Sequence, residues 1–262
     1  MLYEELLMDD QLYIDSYSHF RSELRQIEPI GELITYDWIK LPDSISGAWI
    51  VYFQMLEEHA LELANVINQL LTDIEKLCAW EKVILEYQEE ERLYIFHEFV
   101  RPLCTLCLNL PYALRSRFIF SVTHLSHQAS MAVLGDNWQD NLSPDDNIYI
   151  AQMDQFASQW KSYKKFKLII ERLSDKKYQS EIEHYRNKYQ HRFPPHIGFG
   201  LSEMVTRGVE NNGKVIYSLG YKMPLQIKDI IVALKKQHGI ALKCCIYYKR
   251  LINEQYEKIR IT

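Results

Sequence analysis

The stretch from Tyr185 to Pro195, YRNKYQHRFPP, places Arg186, Asn187 and His191 within two helical turns and then stops them with a double proline. These residue types suit chemistry at a phosphodiester. An imidazole that titrates near neutrality can move the proton of a ribose 2′-hydroxyl, and a guanidinium can hold developing phosphorane charge through two parallel hydrogen bonds. On an ideal helix, positions five apart differ by about 140°, so Arg186 and His191 do not share a face, whereas Asn187 and His191 do. Pro194 disfavours helix at Phe193, which ends the helix near His191 and frees that side chain. Two plainer readings stand beside the catalytic one. His184, Lys188 and Arg192 form a solvated basic face near a helix C-terminus, where positive charge is favoured, or the segment is a binding surface.

Other clusters carry weaker chemistry. Cys104, Cys107, His124 and His127 have zinc-ligand types, with 16 residues between Cys107 and His124. The His-x-x-His spacing is tighter than in zinc fingers, and CTLCLNL is an apolar stretch in which small cysteines pack well, so no metal is expected. Asp136, Asp140, Asp145 and Asp146 resemble a calcium loop in composition alone, without its glycine and terminal Glu. The chain has no phosphate-cradling glycine loop, nucleophile elbow or Walker motif, and no cofactor is expected.

Arg-Asn-x-x-x-His, standing here as Arg186, Asn187 and His191, resembles the signature of the HEPN family, small four-helix proteins of bacterial defence and toxin–antitoxin systems. The resemblance covers about one helix, roughly 20 residues. It implies a metal-independent endoribonuclease in which His191 and Arg186, with Asn187, act at a scissile phosphate, in a site often shared by two subunits of a homodimer. Under that reading Lys161, Lys164, Lys165, Lys167, Lys176 and Lys177 contact phosphates. The longer run RNKYQHRFPPHIGFG is loosely similar to a stretch in helical immunity proteins of contact-dependent growth inhibition systems, and no catalytic residue comes with that likeness.

The elements that must position these residues are mostly helices. None of the nine glycines lies between Ala48 and Leu134 or between Asp136 and Ile197, and such runs, rich in Leu, Glu, Gln and Lys, favour helix. Leu63, Val66, Ile67, Leu70, Leu71, Ile74 and Leu77 recur at three- and four-residue spacing, one apolar helical face. Ser143-Pro144-Asp145-Asp146 predicts a helix start that carries Met153, Phe156, Trp160, Tyr163, Ile170 and Leu173 inward, up to a break at Ser174-Asp175. A further helix then runs through the Arg186 motif. Pro102 and Pro111 predict separate helices at roughly 82–101 and 112–134. Residues 204–219 alternate around Asn212-Gly213 and predict a small β-hairpin, and a last helix is expected from about Gln226 to Ile259. The fold class expected is a mainly α multi-helix bundle. It is either one compact domain or two lobes, 1–135 acidic and 136–262 basic with the hairpin inserted.

With 262 residues and 47% apolar content the chain can bury a substantial core, and a charged fraction of 25% excludes wholesale disorder. The acidic N-terminus lacks the basic start and apolar run of a secretory signal, and no stretch is apolar enough to span a membrane. Five cysteines, odd in number and set in apolar surroundings, fit free thiols in a reducing cytoplasm. The net charge of −5 hides an asymmetry. Residues 1–100 hold 21 acids against 6 Lys and Arg, a net of −15, and residues 101–262 hold 14 against 24, a net of +10. Glu57, Glu58, Glu62, Glu86, Glu89, Glu90 and Glu91 cluster the acids, with Glu58/Glu62 and Glu86/Glu90 four apart so that like charges stack on a helix face. An acidic surface with abundant Tyr and Trp suits a basic protein partner. The function expected is therefore a cytoplasmic immunity or antitoxin-like protein that binds and neutralises a basic nuclease toxin. The alternative is the HEPN-type endoribonuclease, with RNA as its partner.

Overall fold

The long glycine-free runs become long helices because little in them competes with the helical backbone. The computed structural model describes residues 2–209 and 213–261. The helices are α1 (Leu2–Leu24), α2 (Ile50–Ile84), α3 (Glu89–Ile95), α4 (Arg101–Ala129), α5 (Met131–Leu134), α6 (Ile150–Ala157), α7 (Tyr163–Ile170), α8 (Lys176–Glu181), α9 (Tyr185–His191) and α10 (Ile227–Ile259). The strands β1 (Val205–Val209) and β2 (Val215–Leu219) pair antiparallel from Val205↔Leu219 to Val209↔Val215. The chain is mainly α, with 67% of its residues helical, and both strands fall within the expected hairpin. Beyond the open end of the hairpin lie two isolated bridges, Ser202↔Lys222 antiparallel and Ile197↔Leu225 parallel. Of the turn that joins the strands, residues 210–212 lie outside the described residues. All seven apolar positions from Leu63 to Leu77 are buried, as their spacing requires.

The chain forms two compact units, each made of three segments: 1–30, 72–109 and 176–235 in the first, 31–71, 110–175 and 236–262 in the second. A division at 135/136 does not describe them. At 35, 29 and 33 residues, α2, α4 and α10 each contribute to both units. The units also re-sort the charge. The first holds 20 acids against 16 Lys and Arg, a net of −4, and the second 15 against 14, a net of −1. The acidic and basic halves of the sequence are thus interleaved rather than presented as two bodies of opposite sign.

In the first unit Trp80 stacks between Phe20 (4.4 Å) and Phe99 (4.9 Å). Buried Tyr178 of α8 donates to the Leu108 carbonyl, and Tyr185 of α9 pairs with the Thr105 hydroxyl at 2.9 Å. In the second unit a polar chain crosses the apolar core. Tyr52 donates to Gln255 Oε1 (2.8 Å), and Gln255 Nε2 donates to Ser126 Oγ (2.9 Å). Gln255 is fully buried, so these bonds satisfy groups that would otherwise be costly to bury.

Three expected helix boundaries fall elsewhere. Pro102 and Pro111 do not separate helices. A π-turn over Phe96–Val100 joins α3 to α4 through an Arg101 N–H bond to the Phe96 carbonyl, so Pro102 lies within a continuous helical run, directly after a widened turn that accommodates its ring and missing N–H. Pro111 lies inside α4, between turns whose Cys107, Leu108, Leu110 and Leu114 are all buried, and that packing outweighs one lost hydrogen bond. The helix expected from Ser143 to Leu173 divides. A short 3-10 turn at Asp145–Asn147 precedes α6, and Glu254 of α10 accepts the N–H groups of Lys161 (2.7 Å) and Ser162 (2.8 Å), capping α7 afresh. Met153, Phe156, Trp160, Tyr163, Ile170 and Leu173 are nonetheless all buried. The helix leading into the Arg186 motif also breaks. Glu183 and His184 take positive φ, and the His184 N–H returns to the Gln179 carbonyl (2.7 Å), closing α8 in a Schellman-type turn before α9 begins.

Candidate functional site

In the second unit, α2 and α4 and the turn at Asp145–Asn147 enclose a cleft of about 410 Å³. Glu58 and Glu62 lie four apart on one face of α2, and Ser116 and Phe120 lie four apart on α4. Asp145 and Ile148 close one side. Glu62 is held by Arg117, whose Nη1 lies 3.2 Å from Oε2. Asp145 Oδ1 lies 3.2 Å from His124 Nε2. His59, between the two glutamates in sequence, places Nδ1 3.0 Å from Ser121 Oγ, which in turn lies 2.7 Å from the Tyr248 hydroxyl. Burial, with His124 nearby, pushes the His59 imidazole down to about 4, so it is uncharged at neutral pH. Ser121 and Tyr248 are buried, so this hydrogen-bond chain anchors His59 and offers no accessible nucleophile. The cleft therefore presents Glu58, Glu62 and Asp145 against one arginine, with Leu63, Phe120 and Ile148 as apolar wall. That chemistry suits a cation on an aliphatic stem.

The seven glutamates chosen from sequence are all exposed, but they are not alike. Glu57 lies outside the cleft and lines a separate hollow with Tyr36, Asp37 and Ile39. Glu86 and Glu90 do not stack as expected. The helix α2 ends at Ile84, leaving Glu86 in a turn, 3.7 Å from His19, while Glu90 belongs to α3. Glu89, Glu90 and Glu91 occupy the first turn of α3. There Glu91 accepts the Gln88 N–H (3.1 Å) in a capping box, and all three acids face the positive end of the helix dipole. Folding thus accounts for a pattern that the sequence leaves to a partner.

The Arg186 motif occupies the seven-residue helix α9 in the first unit, with Arg186 half-buried and Asn187 and His191 exposed. The helix ends at His191, where Pro194 places it, and Arg192 is extended. Of the proposed basic face, His184 and Arg192 are exposed, but Lys188 pairs with Glu203, which also holds Lys222 at 2.8 Å. The two lysines hold the Glu203 carboxyl below its usual range. Among the suggested phosphate contacts, Lys167 is bound to Asp154 and lies 3.8 Å from Glu171, whereas Lys161, Lys164, Lys165, Lys176 and Lys177 are exposed.

Cys104 and Cys107 are buried in the first unit, and burial pushes the Cys104 thiol up to about 12. His124 and His127 belong to the second unit and face Asp145 and Asp140, respectively. Among the described residues no group of three or more His, Cys, Asp or Glu side chains could hold a metal ion. No helix there is long and apolar enough to cross a membrane.

Sequence reasoning missed two features. Arg117, Phe120 and His59 join the cleft only through the packing of α4 on α2, and the sole signal was the Glu58/Glu62 spacing. On the hairpin, Val205, Val209, Val215, Tyr217 and Leu219 share one exposed face with Arg207 at its centre, visible in the alternation once the register is known. No protein-family model matches the chain, and neither a curated protein nor a solved structure matches it.

Proposed function

We propose that the protein is an interaction protein for a basic protein partner, and that the cleft lined by Glu58, Glu62 and Asp145 receives a Lys or Arg side chain of that partner. In its most specific form this is a cytoplasmic immunity or antitoxin-like protein that neutralises a basic nuclease toxin, since nucleases carry positive charge to meet their substrate. The observation that supports the reading is the cleft itself. It joins two of the glutamates singled out by spacing to a third carboxylate, with an aromatic wall and an uncharged histidine. Each unit is near neutral, which favours a local feature of this kind over a global field as the basis of recognition.

The test is co-expression with the protein encoded by the neighbouring gene, followed by binding kinetics at two salt concentrations. A basic partner should co-purify, with association slowing as salt rises. Glu58→Gln combined with Asp145→Asn should weaken binding by about 10- to 100-fold, the usual range for removing carboxylates that contact a partner's cation. Glu89→Gln, with its carboxylate at a helix start, should act on stability more than on affinity. A basic partner that binds the double variant as tightly as the parent would remove the cleft from the reading.

A second reading, the HEPN-type endoribonuclease, draws on one observation: Asn187 and His191 lie four apart on α9 and are both exposed, open to RNA or to a second subunit. Purified protein would then cleave RNA in EDTA and leave 2′,3′-cyclic phosphate ends. Both His191→Ala and Arg186→Ala should abolish cleavage while leaving the circular dichroism spectrum unchanged. Cleavage that survives both substitutions rules the motif out of the chemistry.

A further inference from the structure

A second cleft in the second unit, of about 330 Å³, has a different character from the acidic one. Five carboxamides line it, from Asn137, Gln139, Asn141, Gln155 and Gln159, and no Lys or Arg does. Each carboxamide offers donors and an acceptor, Gln159 Nε2 already giving one hydrogen to the Phe156 carbonyl (3.1 Å) and keeping its oxygen and second N–H, so together they suit a neutral ligand whose edge alternates donors and acceptors. Phosphate and carboxylate ligands find no cation here.

The remaining wall is aromatic and fixed. Trp138 donates from Nε1 to the His127 carbonyl (3.1 Å), and its ring lies 5.1 Å from the His127 ring. The Phe156 ring packs 4.8 Å from His127 on another side. His127 itself is the telling residue. Its side chain is 5% exposed, its Nε2 makes no hydrogen bond of good geometry, and its surroundings are the Asp140 carboxylate at 3.6 Å and the Gln139 backbone. A buried ring nitrogen held only by a long contact to an exposed carboxylate is incompletely satisfied, and a ligand group at hydrogen-bond distance completes its bonding. Burial, against the opposing pull of Asp140 and the Gln139 backbone, keeps that imidazole below its usual range.

We propose that this cleft binds a nucleobase, presented as a nucleoside, with Trp138 as its stacking wall, the carboxamides of Gln155 and Gln159 reading its polar edge, and His127 Nε2 bonded to a ring or exocyclic atom. The volume lies at the small end of ligand sites, suited to one base and its sugar and too small for an oligonucleotide. Paired donor and acceptor groups on Asn and Gln meet base edges two at a time, and stacking on an aromatic side chain tolerates any base, so the carboxamides carry the selectivity. The site stands independently of the partner-binding cleft and of the Arg186 motif, and it implies no chemical step.

The experiment titrates adenosine, guanosine, cytidine and uridine separately into the full chain, with N-acetylglucosamine as a control that carries an amide and a polar ring but no aromatic plane. Binding is read by protein-observed NMR at the side-chain amide and indole N–H signals. At least one nucleoside should bind saturably and shift the Trp138 indole and the Gln155 and Gln159 amides. Gln155→Leu and Gln159→Leu, both at exposed positions, should each weaken that nucleoside about tenfold, the discrimination expected when a two-pronged base contact is lost. Trp138→Phe should retain most of the binding and Trp138→Ala should lose it, with circular dichroism confirming that each variant is folded. The proposal is overturned if no nucleoside binds at millimolar concentration, if N-acetylglucosamine binds in their place, or if the folded glutamine variants bind as well as the parent.

Discussion

Replacing Gly198 by alanine is expected to lower the unfolding free energy by roughly 2–4 kcal/mol, from left-handed backbone strain added to overpacking. Gly198 has φ +70°, a conformation that L side chains rarely adopt. A Cβ there would lie 2.6 Å from Cε2 of Phe96. That ring is 1% exposed and lies edge-to-face with Phe199 at 5.2 Å, so it cannot swing aside cheaply. The Gly198 N–H also bonds the Leu225 carbonyl (2.9 Å), so the chain cannot relax by moving away without losing that bond. Chemical denaturation of Gly198→Ala measures the loss. Gly213→Ala, where φ is +83° but nothing lies within 4 Å of the added carbon, isolates the backbone cost and should lose only about 1 kcal/mol. Adding Phe96→Leu to Gly198→Ala should give less than the sum of the two single losses, because the clash is then relieved. Equal losses at Gly198 and Gly213 would show that the contact with Phe96 is not what requires glycine.

The helices of this fold could be read from its sequence because their cause is local. The seven apolar positions of α2 repeat at helical spacing, and the last helix could be placed to within a residue or two. Helix breaks were harder, because their causes are distant. The separation of α6 from α7 depends on Glu254, 93 residues from Lys161 in sequence. Pro111 reads as a stop, yet it lies within a turn that the core holds helical. Ser174, read correctly as a break, has φ +50°, and its N–H reaches the Gln237 carboxamide at 2.7 Å, so a local signal and a distant partner agree there.

Legibility of the sites follows the same division. Glu58 and Glu62 stood out by spacing on a single helix. In the sequence Asp145 belongs to a helix-start signal, and its place opposite His124 depends on a turn meeting α4. The five carboxamides of the second cleft gave no signal at all. Asn and Gln scattered over residues 137–159 are ordinary loop composition until the loop folds over His127. The charge asymmetry of the two sequence halves, conversely, was conspicuous and lost most of its force. Each unit draws segments from both halves, so the excess acids and bases end up together. Glu89, Glu90 and Glu91, the densest acidic run, have a sufficient reason for being where they are in the dipole and capping of α3.

Acidification from pH 7.5 to 4.5 is expected to destabilise the fold, and His59 supplies the largest single share. Burial pushes its folded pKa down from 6.5 to about 4. Between those values the unfolded chain holds a proton that the folded chain does not, so stability rises with pH across that window. The contribution is fully present above about 6.5 and is lost as pH falls toward 4. At about 1.36 kcal/mol for each pH unit, the full window amounts to on the order of 3 kcal/mol from this one group. His124, His127 and His238 are shifted the same way by burial and add with the same sign, although Asp145 and Asp140 oppose the shift at the first two. Asp154, held low against burial by Lys167 and Tyr163, and Glu203, held low by Lys188 and Lys222, act in the same direction, but their share is lost only at still lower pH. Glu81, whose carboxyl is pushed up by burial, acts in the opposite direction toward the acid end of the range, so the His59 share is isolated by its substitution. Urea denaturation at pH 7.5, 6.0 and 4.5 measures the slope. His59→Gln, which keeps a hydrogen-bonding side chain beside Ser121 without a titrating ring, should flatten it by most of the His59 share. A slope that His59→Gln leaves unchanged would mean that the fold does not hold His59 neutral, and so would remove the uncharged histidine from the acidic cleft as well.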